Sequence, residues 1–231
     1  MIKFDKVSKH YGGKNRALSD VSFEVGDGEF VFLIGPSGAG KTTLLRLLIH
    51  DLIPTGGEIF IDELKVSVMP SSKVYELRRK VGTVFQDFKL LMDRTVYENV
   101  ALGLEILGKH EKEIEKDVSD VLALVGLSGK KYQFPLQLSA GELQRTSIAR
   151  AIVGGPSILL ADEPTGNLDP DTANEILNIL QEVNKIGTTV IMATHNAGIV
   201  NDLKKRTITL NAGILVSDEE KGRYHLHHKK E

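Results

Sequence analysis

The chain has 231 residues, a formal net charge of −2 and 41% apolar residues. It is long enough to bury a substantial core, as one domain or one domain with a sizeable insertion. Its near-neutral charge gives no overall attraction to nucleic acid or to an anionic membrane. The absence of cysteine excludes disulfides and thiolate metal sites and fits a reducing compartment. No apolar run approaches the ~20 residues a membrane helix needs. The opening stretch MIKFDKVSKHYGG lacks the apolar core of a secretion signal, so a cytoplasmic chain without a span of its own is expected.

In chain order, FDKVS (4–8), SDVSFEV (19–25), EFVFLIG (29–35), GEIFID (57–62) and VGTVFQ (81–86) read as strands, several with β-branched or alternating apolar residues. KTTLLRLLIH (41–50) starts a helix directly after a glycine-rich loop. Residues 111–125 set Ile114, Val118, Val121, Leu122 and Val125 at helical spacing, which predicts an amphipathic helix, and 142–153 predict another. SILLADE (157–163) and TTVIMAT (188–194) are short unbroken apolar runs, the mark of strands covered on both faces of a parallel sheet. Asp169 followed by Pro170 reads as an N-cap and first helical position, with Ile176, Leu177, Leu180 and Val183 turned inward. TITLNAGILVSD (207–218) predicts a hairpin turning at Asn211–Gly213.

The pattern predicts a single α/β domain. A mainly parallel core (1–86 and 156–217) opens with a β-rich portion and is interrupted by a mostly helical block at about 87–155. A polar tail, 218–231, follows and is expected to fray.

GPSGAGKT, Gly35 to Thr42, matches G-x-x-x-x-G-K-[ST] in the context that motif requires, after a buried strand and at the opening of a helix. Backbone N–H groups over Ser37 to Lys41 form an anion nest at the positive end of the helix. Gly35, Gly38 and Gly40 let the backbone curl around a triphosphate. Lys41 supplies charge to the β- and γ-phosphates, and the Thr42 hydroxyl is a ligand for Mg²⁺. Pro36, Ala39 and Thr43 belong to the same phosphate-binding segment.

Asp162 ends a buried strand, where ligands meet an α/β sheet, and can hold Mg²⁺ through water. Glu163, next to it, can polarise an attacking water, or it is simply a solvated loop acid. His195 ends the run TTVIMAT and can hydrogen-bond the γ-phosphate, although a histidine at a strand end is commonly structural. Gln86 can reach Mg²⁺ or the water. Tyr11, after the first strand, can stack on adenine. Taken alone, the last two read better as a polar loop residue and a half-buried aromatic.

A second glycine-bearing helix start lies at LSAGE, residues 138–142. Ser139 and Glu142 form a capping box, and Gly141 leaves the first turn without a side chain. That is either an ordinary capped helix or an N-terminus able to accept an anion.

Tyr11, Gly35–Thr43, Gln86, Leu138–Glu142, Ile158–Glu163, GNLD (166–169) and His195 occur in one order over nearly the whole chain. In that order they resemble the ATP-binding cassette (ABC) ATPases. The resemblance implies a P-loop fold with an ABC-type nucleotide-binding domain and a helical signature subdomain. It further implies ATP and Mg²⁺ as ligands, and Asp169 among the nucleotide-facing residues. Two copies would pack head to tail, so that Ser139, Gly141 and Glu142 serve the nucleotide held by the other copy. Ala140 and Leu143 depart from the common LSGGQ pattern. If residue 140 needed a positive φ, alanine would cost on the order of 1 kcal/mol; if it is already helical, the cost vanishes and activity survives.

DEPTGNLD narrows the resemblance to a subgroup that includes cell-division, lipoprotein-releasing and macrolide-exporting ATPases. FQDFKLLMDRTVYENVAL (85–102) is similar to the cell-division members. That likeness implies docking of an integral membrane partner near residues 86–102, a peripheral position on the inner face of the cell membrane, and indirect action on an extracytoplasmic activator of wall hydrolases. An exporter would use the same nucleotide residues. ABC ATPases that act on nucleic acid carry long coiled-coil insertions, and here one short amphipathic helix fills the gap, so no nucleic-acid partner is expected. His225, His227 and His228 read as a solvated tail or a metal-binding tract.

Overall fold

A computed structural model describes residues 1–12, 15–222 and 224 of the chain. Alternation sets the first strand: β1 (Ile2–Tyr11) buries Ile2, Phe4 and Val7 while Asp5 and Lys6 stay exposed. β2 (Asn15–Val25) follows. β3 (Phe30–Ile34) is buried at every position, and a glycine loop leads from it into α1 (Lys41–Leu48). β4 (Gly56–Ile61), β5 (Leu64–Lys65), α2 (Val74–Lys80) and β6 (Val81–Val84) come next. The helices α3 (Val96–Ile106), α4 (Glu111–Leu124) and α5 (Ala140–Ile152) precede β7 (Ile158–Asp162). α6 (Pro170–Lys185), β8 (Thr189–Thr194), α7 (Ala197–Leu203), β9 (Arg206–Asn211) and β10 (Ile214–Glu219) complete the described elements.

The chain forms two compact units, Met1–Arg78 with Thr189–Glu231, and Arg79–Thr188. In the first, an antiparallel sheet runs in the order β2-β1-β4-β5, with Phe4 stacked on Phe23 at 4.6 Å between ring centroids. A second set of strands runs β10-β9-β3-β8, with β3 parallel to both β8 and β9. Arg206 locks the margin of this set. Its guanidinium makes a paired contact with Asp218 (Nε–Oδ1 2.9 Å, Nη2–Oδ2 2.8 Å), reaches Glu29 at 2.7 Å and donates to the Glu24 carbonyl at 2.7 Å. The β9–β10 turn places Ala212 and Gly213 at φ 47° and 78°, as a tight two-residue hairpin demands.

In the second unit β6 and β7 pair in parallel, and α3, α4, α5 and α6 pack around one another. α4 buries Ile114, Val118 and Leu122, and Val125 just beyond its end, while Val121 is only half-buried. α6 buries Ile176, Leu177, Leu180 and Val183, as expected. The strand directions are those of the expected α/β class, antiparallel at the N-terminus and parallel in β3, β6, β7, β8 and β9.

Several boundaries differ from the reading of the sequence. Tyr11 is not in a loop; it is the last residue of β1, paired with Asn15 across a tight connection. β6 stops at Val84, two residues before Gln86. β10 continues to Glu219, because the hairpin register keeps pairing Asp218 with Ile208 and Glu219 with Thr207. His225, His227 and His228 lie outside the described residues. Among the described residues, no helix is long and apolar enough to cross a membrane.

Three helix starts in the second unit are closed by carboxylates. Glu98 accepts from the Thr95 N–H at 2.7 Å at α3, and Glu142 from the Ser139 N–H at 2.8 Å at α5. Asp169 accepts from the Thr172 hydroxyl at 2.6 Å and the Thr172 N–H at 3.0 Å at α6. These bonds favour the ionised form and hold all three carboxyls below their ordinary range. Their pKa is lower folded than unfolded, so the stabilisation is complete above the unfolded value and is lost as pH falls through the folded one. The melting temperature should therefore drop as pH is taken from about 6 toward about 4. A Glu98→Gln, Glu142→Gln variant should start lower at neutral pH and show a shallower drop in the same melts.

Candidate active site

β3 cannot continue past Ile34 without leaving its buried slot, and the chain turns there through Gly35 to Gly40. Gly40 is the N-cap of α1 at φ 106°, and a Cβ on it would lie 2.5 Å from the Ala17 carbonyl. Gly38, at φ 77°, faces open space: a Cβ there would meet nothing within 4 Å. The loop is braced from outside, the Gly213 N–H donating to the Ala39 carbonyl at 3.1 Å. Lys41 is 8% exposed, and its ammonium donates to the Gly35 carbonyl at 2.7 Å and to that of Pro36 at 3.3 Å. Unlike α3, α5 and α6, α1 has no side-chain cap and no acidic residue in its first turn. Its positive end is thus left to an external anion. An open concave face, an uncapped helix start and a near-buried lysine fit the phosphates of a nucleotide.

The register of the strands positions two further residues. Ile34 pairs with Thr194, so Gly35 and His195 leave adjacent parallel strands at the same level, about 4.8 Å being the usual spacing of such neighbours. His195 is exposed there. On the other side of the loop the Tyr11 hydroxyl is 3.5 Å from Thr43 Oγ1, and Thr42 is exposed at the start of α1.

The second unit repeats this arrangement. Val84 pairs with Ala161 at the end of this register; β7 closes one residue on at Asp162, followed by Glu163, and β6 leads through Phe85 to the exposed Gln86. Glu163 has φ 49°, a left-handed conformation that costs a non-glycine residue about 1–2 kcal/mol. Strain of this kind gathers at functional positions. The oxygen donors of Asp162 and Gln86 here, and of Thr42 in the first unit, are the hard type that suits Mg²⁺. Asp169 is engaged by its own helix through Thr172.

At α5 the capping box is present in full, with the Glu142 N–H donating to Ser139 Oγ at 3.3 Å. Lys130 lies 3.2 Å from the Glu142 carboxylate and offsets its charge.

Residues 18–166 match the family described as ABC transporter. The cell division ATP-binding protein FtsE of Bacillus subtilis (strain 168) is 50% identical over 224 residues, which cover 97% of this chain and 98% of that protein. FtsE of Escherichia coli (strain K12) is 47% identical over 93% of this chain and 97% of its own length. Among solved structures, a dimeric post-hydrolysis state of the ATP-binding cassette MJ0796 bound to ADP and Pi has a TM-score of 0.88 at 34% identity, covering 97% of this chain and all (100%) of that one. The chain belongs to the ABC transporter family. It is an ATPase of the ABC type.

Its LSAGE segment departs from the LSGGQ pattern at Ala140, and the structure answers the question this raises. Ala140 is the first residue of α5 and is absent from the positive-φ positions, so alanine carries no backbone penalty there. Gly141 is the constrained position. It is buried against α6, and a Cβ on it would come 2.4 Å from Thr172 Cγ2. Thr172 cannot simply rotate away, because its hydroxyl is held by Asp169. The sequence reading gave Gly141 as a first-turn position without a side chain, at a helix start either ordinarily capped or able to accept an anion, and missed Thr172, for which no motif gives a signal. It also missed Arg145, paired with Glu175 at 2.5 Å, and Arg150.

Gly141→Ala should cost about 1–3 kcal/mol in chemical denaturation, the range for an overpacked contact. Thr172→Ser removes the clashing methyl and keeps the hydroxyl bonded to Asp169, so the double variant should recover most of the loss. Equal destabilisation of the single and double variants would show that the glycine serves something other than this contact.

Proposed function

We propose that this chain is the ATP-hydrolysing subunit of a cell-division complex resembling that of FtsE with its membrane partner FtsX. The observation that carries the reading is the 50% identity to a cell division ATP-binding protein, spread over 97% of this chain and 98% of the relative. In this reading Gly35–Thr43 hold the phosphates, Lys41 neutralises the β- and γ-phosphates, and Tyr11 stacks on adenine. Thr42, Gln86 and Asp162 hold Mg²⁺, which supplies charge to the phosphate oxygens when bound. Glu163 accepts the proton of the attacking water, and His195 hydrogen-bonds the γ-phosphate. Ser139, Gly141 and Glu142 complete the site of a second copy, with Asp169 near the nucleotide, so hydrolysis requires the dimer. The dimeric MJ0796 structures support that arrangement for a cassette of this size. The helical block at about 87–155 acts as the subdomain that closes.

The chain lies on the inner face of the cell membrane, attached through its partner. Leu91 and Met92, 41% and 48% exposed, offer apolar side chains to that partner within residues 86–102. Bound γ-phosphate favours the closed dimer and hydrolysis removes that preference. Closure bends the membrane partner and so activates wall hydrolysis outside through an extracytoplasmic activator.

Glu163→Gln should keep ATP binding, lower turnover by about 10²–10⁴-fold, the usual contribution of a general base, and accumulate an ATP-bound dimer on size exclusion. Turnover at the unsubstituted rate would remove Glu163 from the role. Purification from native membranes in mild detergent should bring down a four-span membrane protein with a large outer loop. A Leu91→Asp, Met92→Asp variant should lose it. Capture of a lipoprotein-releasing or macrolide-export permease would overturn the division role and leave the nucleotide assignments standing.

A further inference from the structure

The loop that follows β6 contains two consecutive residues in the left-handed region, Phe88 at φ 58° and Lys89 at φ 52°. Neither is glycine, so each is strained in that conformation. Local bonds stabilise the turn only in part: the Lys89 N–H donates to the Asp87 carbonyl at 2.6 Å, and the Lys89 ammonium pairs with the Asp87 carboxylate at 2.7 Å. The main hold comes from α5. Arg150 donates from Nη1 to the Lys89 carbonyl at 2.7 Å and from Nη2 to the Phe88 carbonyl at 2.8 Å. Ser147, one turn earlier on the same helix, donates its hydroxyl to the Phe88 carbonyl at 3.2 Å. A guanidinium fork suits two successive carbonyls; a single ammonium does not.

The far end of the loop is fixed to α3. Asn99 is fully buried and accepts from the Leu91 N–H at 2.8 Å. Its amide nitrogen lies 3.0 Å from the Leu91 carbonyl, 3.1 Å from that of Arg94 and 3.0 Å from that of Thr95. Leu91 and Met92 are therefore presented between two anchors, one on α5 and one on α3. α5 is also the helix that begins at Ser139, with Arg150 in its last turn. Eleven residues at 1.5 Å rise put its two working ends about 16 Å apart on one rigid rod.

We infer that Arg150 is a positioning residue that ties the loop after β6 to α5, so that movement of the helix start at Ser139 is carried to Leu91 and Met92. The mechanical tie lies within one chain; its use as a signal to a membrane partner rests on the function proposed above. α5 moves with its N-terminus when that end engages the nucleotide of a second copy, and the loop follows because two of its carbonyls are held by the far end of the same helix.

The chain has no cysteine, so a nitroxide on Met92→Cys gives one reporter on the loop. In nucleotide-free protein, Arg150→Lys should sharpen the label's spectrum, because one ammonium cannot replace the fork. In a Glu163→Gln background, ATP with Mg²⁺ should change the spectrum of the parent. The Arg150→Lys protein should form the dimer equally by light scattering and lose that spectral change. A structural role alone would leave the ATP response in place. Unchanged label mobility without nucleotide, or an equal ATP response in both proteins, overturns the inference. Should Arg150→Lys melt too low for comparison, Ser147→Ala removes only the 3.2 Å bond and should shift the spectrum in the same direction by less; no shift there also overturns it. A parent that binds ATP without dimerising defeats the composite-site reading instead, and the nucleotide-free spectra then decide the tie.

Discussion

The start of α1, which carries no side-chain cap, is the constraint around which the first unit is built. The N–H groups that open α1 have no side-chain cap, and no carboxylate in the first turn meets the positive end of the helix. Groups of that kind need a partner. β3, buried at all five positions, delivers the chain to this point and cannot extend further. Gly35 and Gly40 let the loop pack closely against the Leu210 and Ala17 carbonyls, Gly38 faces open space, and Lys41 adds a charge that the Gly35 and Pro36 carbonyls hold at the loop. A phosphate held there, as proposed above, would complete the start of the helix.

Three helices of the second unit solve the same problem with side chains of their own. α3, α5 and α6 each bring an oxygen to their first turn from Thr95, Ser139 or Asp169. At α5 the capping box is complete. Its box is closed by Glu142, yet Lys130 offsets that carboxylate, so a negative group approaching Ser139 does not face an uncompensated charge. Gly141 lets the first turn of α5 sit against Thr172, whose hydroxyl belongs to the cap of α6. The starts of α5 and α6 are consequently one structural feature, and Asp169 is a part of it.

The fold class was legible because the buried strands announce themselves. ILLAD and TVIMAT are unbroken apolar runs, and only a sheet covered on both faces accepts them. The phosphate loop was legible because its chemistry is backbone chemistry, and glycine spacing records that directly. α3 was harder. VYENVALGLEI mixes β-branched residues with Gly103, and what makes it a helix is the Thr95–Glu98 box together with the burial of Val96, Val100 and Leu104. The box was visible in TVYE, but the burial was not. Thr172 and Arg150 were beyond reach for a different reason. Each acts on a backbone or side-chain atom far away in sequence, Arg150 on carbonyls 61 and 62 residues distant, and carbonyls leave no trace in residue type.

The left-handed residues of the second unit show where its free energy is finely balanced. β6 and β7 lie in register, and beyond the end of each comes a non-glycine residue at positive φ, Phe88 and Lys89 after β6 and Glu163 after β7. A conformation that costs about 1–2 kcal/mol per residue persists only where neighbours over-determine it. For Phe88 and Lys89 those neighbours are Arg150 and Ser147, two polar side chains on a single helix. This loop is held by a few hydrogen bonds against its own backbone preference. An element of that kind can be biased by the modest free energy of one bound phosphate group. Placing the strain at the end of a sheet strand, and its restraint on the helix that begins at Ser139, turns a cost in stability into sensitivity to what happens at that helix start.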